Sequence, residues 1–448
     1  MSVFADDVVN FTAVLKMAYD FLGGREYLKR MKFRERKKLI SVALPFSDLI
    51  FAVGAIPVFP IRMERFKINK YLLALNSATS LLGWNLTAKA LGFARQFDFL
   101  KIIDSILEDV INTINEKYNE LYDVGEENGI PSEFCYGIKG LYGMHISKGK
   151  NVDASLNITI RCSAYNKYLE SLRNLVPKRI WIDIPPREIG SPGKTLELVT
   201  NNVSNAITEL ENITGNVLTD NSLNKQFRIG NQIKRYYKTI TYEISASDFY
   251  PCNPATFAEI LALLGISFQD YNSNAQRYLE HIGYMVKEMK DRIKKGIGMD
   301  VSKMPRILLT PIFGGWEPEA PIAVYKLGGR VIYADWEILG ALEEIPVSTN
   351  SNPVEEYARY LLNMTTKGIG CDNDTLTNSY IKIAKKLDVD GIIFNQVFGC
   401  HSISNCYTML KEKARRTLEI PTTFINFNRI GENVEQTKTR LGAFMEMF

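Results

Sequence analysis

Six cysteines, Cys135, Cys162, Cys252, Cys371, Cys400 and Cys406, are the residues best suited to chemistry in this chain. No Cys-x-x-Cys pair occurs, which argues against a zinc ribbon or a thioredoxin-like site. In a large cytoplasmic chain they read as thiols, because that compartment keeps disulfides reduced. Three share a setting. Cys162 follows an expected strand and opens the next helix, Cys400 does the same further on, and Cys135 stands at a loop-to-helix junction with glycines nearby. In open parallel sheets the loops beyond the carboxyl ends of the strands form the ligand crevice, and a helix N-terminus favours a thiolate. Three thiolates converging on one cleft suit a soft metal or an iron–sulfur cluster. The alternative is that each is a small apolar filler at a strand end. Spacing alone leaves both open.

The three histidines add little. His401 directly follows Cys400 and, with Ser402, is a candidate to hydrogen-bond cluster sulfur or donate a proton; a surface or capping role is the alternative. His145 lies on the glycine-containing stretch Gly140-Leu141-Tyr142-Gly143-Met144-His145 and reads as a loop residue, while His281 falls in a helical stretch and reads as structural. No G-x-G-x-x-G follows a strand and no Walker A sequence occurs, so the chain shows no nucleotide site of its own. Gly314-Gly315, after the strand at 306–310, reads as an ordinary tight turn, close approach of backbone to a ligand being the alternative.

The elements that must position these residues alternate. The first forty-odd residues are expected to be helical, ending in the solvated basic run Lys29 to Lys38. Leu49 to Val58 reads as a short helix turning at Gly54 into a strand, and 72–122 as mostly helix, with apolar spacing at Phe99, Ile102, Ile103, Ile106, Leu107, Val110 and Ile111. Strands at 156–160 and 179–184 around a helix from Ser163 form a parallel crossover. After a largely helical 195–300, strands at 306–310, 330–334, 391–397 and 422–425 alternate with helices at 318–327, 375–387 and 404–418. The fold class is therefore α/β: two open, mostly parallel Rossmann/flavodoxin-like domains with helical N-terminal and connecting segments. The expected division is a helical segment over 1–45, a first α/β domain over 46–195, a helical connection over 196–300 and a second α/β domain over 301–448.

At 448 residues, with 46% apolar and 23% charged residues, the chain has room for two cores and is neither disordered nor fibrous. A net charge of +4, dispersed along the chain, argues against nucleic acid or an anionic membrane as partner. The longest uncharged run, Tyr71 to Ala88, is too polar to span a bilayer. The acidic N-terminus does not resemble a secretory signal, so a cytoplasmic location is expected.

Taken in order, several segments resemble the 2-hydroxyacyl-CoA dehydratase / benzoyl-CoA reductase superfamily. Leu44 to Val58 is similar to the family's Pro-x-Glu-Leu-x-x-Ala-x-Gly-x-x-Pro-Val segment, with Asp48 where Glu is usual. The stretches around Cys135, Cys162 and Cys400 resemble its three cluster-cysteine segments, and Gln436 to Met447 resembles its closing Gln-x-x-Thr-Arg-x-x-Ala-Phe-x-Glu-Met. The resemblance implies one [4Fe–4S] cluster per chain on Cys135, Cys162 and Cys400, with the fourth iron open to a small ligand. It implies one-electron, ketyl-radical chemistry on a CoA thioester, either dehydration or aromatic ring reduction. The partners it implies are a homologous second subunit, a heterodimer being favoured over a homodimer, and a separate ATP-dependent iron–sulfur activator. A sister branch carries extra cluster cysteines after the strands corresponding to 306–310 and 330–334; those loops lack cysteine here, so a second cubane is not expected. Asn426-Phe427-Asn428 stands where the family usually has Glu-x-Asp, which fits a divergent substrate or a site held by the partner. The alternatives are a non-catalytic electron-transfer or scaffold subunit and an α/β binding protein with no cluster.

Overall fold

A computed structural model describes residues 11–94, 106–185, 192–348, 351–365 and 372–448. Helices α1 (Thr12–Leu22) and α2 (Gly24–Phe33) precede β1 (Leu39–Ser41), α3 (Asp48–Ala52) and β2 (Ile56–Val58). Gly54 makes the turn into β2 at φ +78°, a conformation that costs glycine little. Next come α4 (Lys70–Ala94), α5 (Ile106–Glu127), α6 (Tyr136–Lys148), β3 (Ala154–Ile158), α7 (Ser163–Ser171) and β4 (Arg179–Ile182). These strands form one parallel sheet in the order β2-β1-β3-β4. Every residue of β1, β2 and β3 is buried, as expected for strands covered on both faces by helices.

Helices α8 (Pro192–Thr214), α9 (Asp220–Lys238), α10 (Pro254–Ser267) and α11 (Ala275–Lys294) connect the halves, with a short antiparallel pair β5 (Phe249–Tyr250) and β6 (Met299–Asp300). The second half contains β7 (Arg306–Thr310), α12 (Glu319–Lys326), β8 (Arg330–Ile332), α13 (Asp335–Ile338), α14 (Pro353–Met364), α15 (Asn373–Lys386) and β9 (Gly391–Val397). It ends with α16 (His401–Ser404), α17 (Tyr407–Thr417), β10 (Thr422–Phe427) and α18 (Val434–Met445). Its sheet, also parallel, runs β10-β9-β7-β8. Counted within each half, both sheets have the flavodoxin-like order 2-1-3-4, so each reverses its winding between its first and third strands. The shared rhythm read from the sequence is thus a shared topology.

One hydrophobic core runs through both halves and the connecting helices. In helix α10 every residue from Pro254 to Gly265 is buried, because its sequence is apolar apart from Thr256 and Glu259, and Asn253 caps its N-terminus by accepting from Thr256 N. A buried ion pair ties the segment after β2 to the segment after α10. Arg62 Nη1 donates to Asp270 Oδ2 at 2.7 Å, and the same oxygen accepts from Phe59 N. Left-handed Tyr271, Asn272 and Ser273 present the Ser273 hydroxyl to Arg62 as well.

Several expectations need correction. Leu39–Ser41 is a central strand, not the tail of a helical segment; three residues beside a basic run carry too little periodicity to reveal it. The helix expected over 404–418 is α17 (Tyr407–Thr417), with the one-turn α16 before it as an addition, and the pair β5–β6 was not legible. Helix α4 is interrupted at Gly83, whose φ is +76°. His145 lies on α6 and is fully packed, not in a loop. The spacing residues Phe99, Ile102 and Ile103 and the cysteine Cys371 lie outside the described residues.

Candidate functional site

The carboxyl ends of both sheets face one cavity of about 210 Å³. Ala43 and Leu44 reach it from beyond β1, Ile160 and Cys162 from beyond β3, and Ile312 to Trp316 from beyond β7. Asp335 and Trp336 come from beyond β8, Cys400 and Ile403 from beyond β9. Helix α6 supplies Cys135 to Ile138, and α10 supplies Ala262, Gly265 and Ile266. This is the crevice that parallel topology creates at a switch point, formed here by two sheets.

The three cysteines singled out by position line this same cavity. Each is the N-cap of a helix, Cys135 of α6, Cys162 of α7 and Cys400 of α16, and none of their side chains makes a capping bond. Cys135 and Cys400 are buried and Cys162 is half-buried. At the two buried thiols, burial opposes the thiolate that a helix N-terminus favours. Burial pushes Cys135 up to about 11; the Ile138 N–H opposes this and the nearby Cys162 adds to it. Burial also raises Cys400 well above an ordinary thiol, with Cys135 and Cys162 as further causes. Desolvation outweighs the backbone donors.

Glycines let the two halves close on this point. Gly137 N donates to Gly314 O at 2.9 Å, and a Cβ on Gly137 would lie 2.9 Å from Gly314 Cα. Gly399, at φ +74°, packs on the Glu133 carbonyl, where a Cβ would collide and would sit 2.8 Å from Cys135 N. Gly315, at φ +121°, leaves room for the Tyr136 and Phe427 rings. Gly314-Gly315 is therefore a site of close approach between the halves, beyond the tight turn read from the sequence.

Polar groups are few. Asp335 is buried; its Oδ1 accepts from Ile312 N at 2.8 Å while its Oδ2 has no partner. Burial raises its carboxyl to about 7, against the pull of the Ile312 N–H and the Thr310 hydroxyl. Gln269 also lines the cavity with its Oε1 unpartnered. Neither residue was legible as functional, because an acid opening a short helix and an amide after a buried one carry no motif. The side chains of His401 and Ser402 lie outside the described residues, and only their place in α16 is fixed. Cys406 and Cys252 are fully buried, away from the cavity lining. His281 is buried beside Asp20 and Trp84.

As a donor set, three thiols in an apolar cavity suit a soft metal group. Among the described residues no group of three or more His, Cys, Asp or Glu side chains is arranged to hold a single metal ion. Nor is any described helix long and apolar enough to cross a membrane.

Residues 48–448 match the family model described as 2-hydroxyglutaryl-CoA dehydratase, D-component. The chain belongs to that family. It is a component of a 2-hydroxyacyl-CoA dehydratase-type enzyme, within the superfamily its motifs resemble. No curated protein matches the chain significantly. The dehydratase match begins at Asp48, so α1, α2 and β1 lie outside it although β1 is central to the first sheet.

Proposed function

We propose that this chain is the cluster-bearing subunit of an enzyme that removes water from a 2-hydroxyacyl-CoA thioester. One [4Fe–4S] cluster would be held by Cys135, Cys162 and Cys400. The observation that carries this reading is that three loops from both halves bring three cysteine thiols to the lining of one cavity. A cubane takes each thiolate on a different iron, so thiols not arranged around a single ion still suit it. When bound, such a cluster with one iron free of protein ligands supplies a Lewis acid and a site for one-electron transfer to the substrate. A homologous second subunit and an ATP-dependent activator belong to this reading as partners, as does a cytoplasmic setting.

The chain's own residues do the rest. Apolar walls exclude water, which strengthens electrostatic interactions inside the cavity. Asp335, fixed through Oδ1 to the Ile312 N–H, has Oδ2 free to hold or release a proton near neutral pH. Gln269 adds an unpartnered carbonyl oxygen that accepts a hydrogen bond from a substrate hydroxyl.

The test is iron and acid-labile sulfide per chain in anoxically purified protein, beside a Cys400→Ala variant. About four irons in the parent and a clear loss in the variant is the expected result. Iron absent from both, even after reconstitution, overturns the reading.

A further inference from the structure

A second depression, of about 470 Å³, lies among α1, α2, α4 and α11 and shares no described lining residue with the cavity at the sheet ends. Its floor is a charged cluster. Lys16 Nζ donates to Asp20 Oδ1 at 3.2 Å and also to Asn76 Oδ1. Against the other carboxylate oxygen, Arg277 Nε lies at 3.2 Å and His281 Nδ1 at 3.4 Å. Lys16, Asp20 and His281 are all buried. Burial lowers the imidazole of His281 to about 4, Asp20 opposing, so it adds no charge near neutral pH. Burial also lowers Lys16 from the usual lysine range; Asp20 opposes this and the charge of Arg277 adds to it. Two cations thus share one carboxylate, and the floor holds one positive charge more than it has partners for. A charge held away from water is stable when it is paired.

Donors for a negative partner are in place. Beyond Nε, the guanidinium of Arg277 makes no hydrogen bond among the described residues, and it lies 5.0 Å from the Tyr27 ring. Arg30 approaches the same ring from α2 at 5.5 Å. Trp84, directly after the break in α4 at Gly83, forms a further wall, its ring 5.1 Å from that of His281. At the rim Glu26 is held by Lys29 at 2.9 Å, and Glu280 is exposed.

We infer that this depression binds a small monocarboxylate with an aromatic or other apolar body, its carboxylate on the open edge of Arg277 and on Arg30, its body against Trp84 and Tyr27. One surplus charge matches a monoanion, and the acids at the rim repel a second negative charge. The planar fork of arginine pairs with a carboxylate through two parallel hydrogen bonds, while aromatic walls favour a body that gives up its water. The site goes beyond the dehydratase reading and does not depend on it. Helices α1 and α2, which supply Lys16, Asp20, Tyr27 and Arg30, precede the residues matched to the family.

Titration calorimetry on the full chain tests this with phenylacetate, its uncharged counterpart phenylacetamide, and inorganic phosphate. Phenylacetate is expected to bind at least about tenfold more tightly than either of the others. Arg277→Gln should weaken phenylacetate by about tenfold or more, through loss of a charge-assisted pair, and leave phenylacetamide unchanged. Arg30→Gln changes an exposed side chain that takes no part in the floor, so the fold stays intact and phenylacetate should again bind more weakly. Phenylacetamide or phosphate binding as tightly as phenylacetate overturns the monocarboxylate assignment. Phenylacetate bound equally by the parent and both variants sits elsewhere on the molecule, and phenylacetate not bound by the parent leaves the surplus charge to water and salt; either result overturns the site.

Discussion

Cysteine reactivity separates the three thiols at the scale of single residues. Cys135 and Cys400 are 6% and 9% exposed, whereas Cys162 is half-buried at the mouth of its loop. Alkylation needs an accessible thiolate, and burial holds both Cys135 and Cys400 protonated. In metal-free protein, Cys162 should therefore be the first of the five described cysteines to react with iodoacetamide, as followed by peptide mapping. Equal labelling of Cys135 would show that its loop opens in solution. Position pointed to Cys162 and Cys400, because a residue between a strand and a helix in a parallel fold sits at the crevice, whereas Cys135, between α5 and α6, was marked by its loop-to-helix setting and by the family resemblance. Their chemistry was not legible, since desolvation depends on what the other half of the chain packs over them. The same limit hid Asp335: only the fold brings the end of β8 to the ends of β3 and β9.

At the scale of elements, His145 joins the parts that present two of the thiols. Its Nε2 lies 2.9 Å from Ser41 Oγ on β1. Its Nδ1 lies 3.0 Å from Leu141 O on its own helix α6 and 3.0 Å from Tyr168 Oη on α7. Cys135 caps α6 and Cys162 caps α7. Burial lowers the imidazole to about 4, the Leu141 carbonyl opposing. The unfolded chain therefore takes up this proton first as pH falls. The stability that neutral His145 contributes is complete above about pH 6.5 and is lost between about 6.5 and 4. His281 titrates in the same window, while buried Glu288, Asp335 and Glu259, raised by burial, act in the opposite sense. A comparison with His145→Gln isolates the one group. The stability difference between parent and variant, from urea midpoints, should be flat above pH 6.5 and shrink by about 3 kcal/mol by pH 4. A difference independent of pH would mean that His145 is already charged or already exposed. Sequence placed this histidine in a loop because three nearby glycines, Gly137, Gly140 and Gly143, mimic loop composition. In the structure Gly140 and Gly143 are there to let α6 lie against Tyr118 and the Leu121 backbone on α5.

For the whole molecule the decisive contact is backbone on backbone. The loop bearing Cys400 and the loop bearing Cys135 come from opposite halves, and Gly399 is where they touch. An alanine there meets two separate penalties: a left-handed conformation at φ +74° and a collision with the Glu133 carbonyl. Gly431 separates them, since it has φ +85° but nothing within 4 Å of the position its Cβ would take. Gly431→Ala should cost only the conformational part, about 1 kcal/mol. Gly399→Ala should cost roughly 2–4 kcal/mol, because rigid backbone on both sides has to move apart. Thermal melts of the two variants give the stability comparison. Reconstituted iron per chain then reports the site: it should stay at the parental level in Gly431→Ala and fall in Gly399→Ala, where the Cys135 and Cys400 loops are driven apart. Equal melting points and equal iron would mean that the halves do not meet at Gly399 and that each thiol loop holds its place without the other.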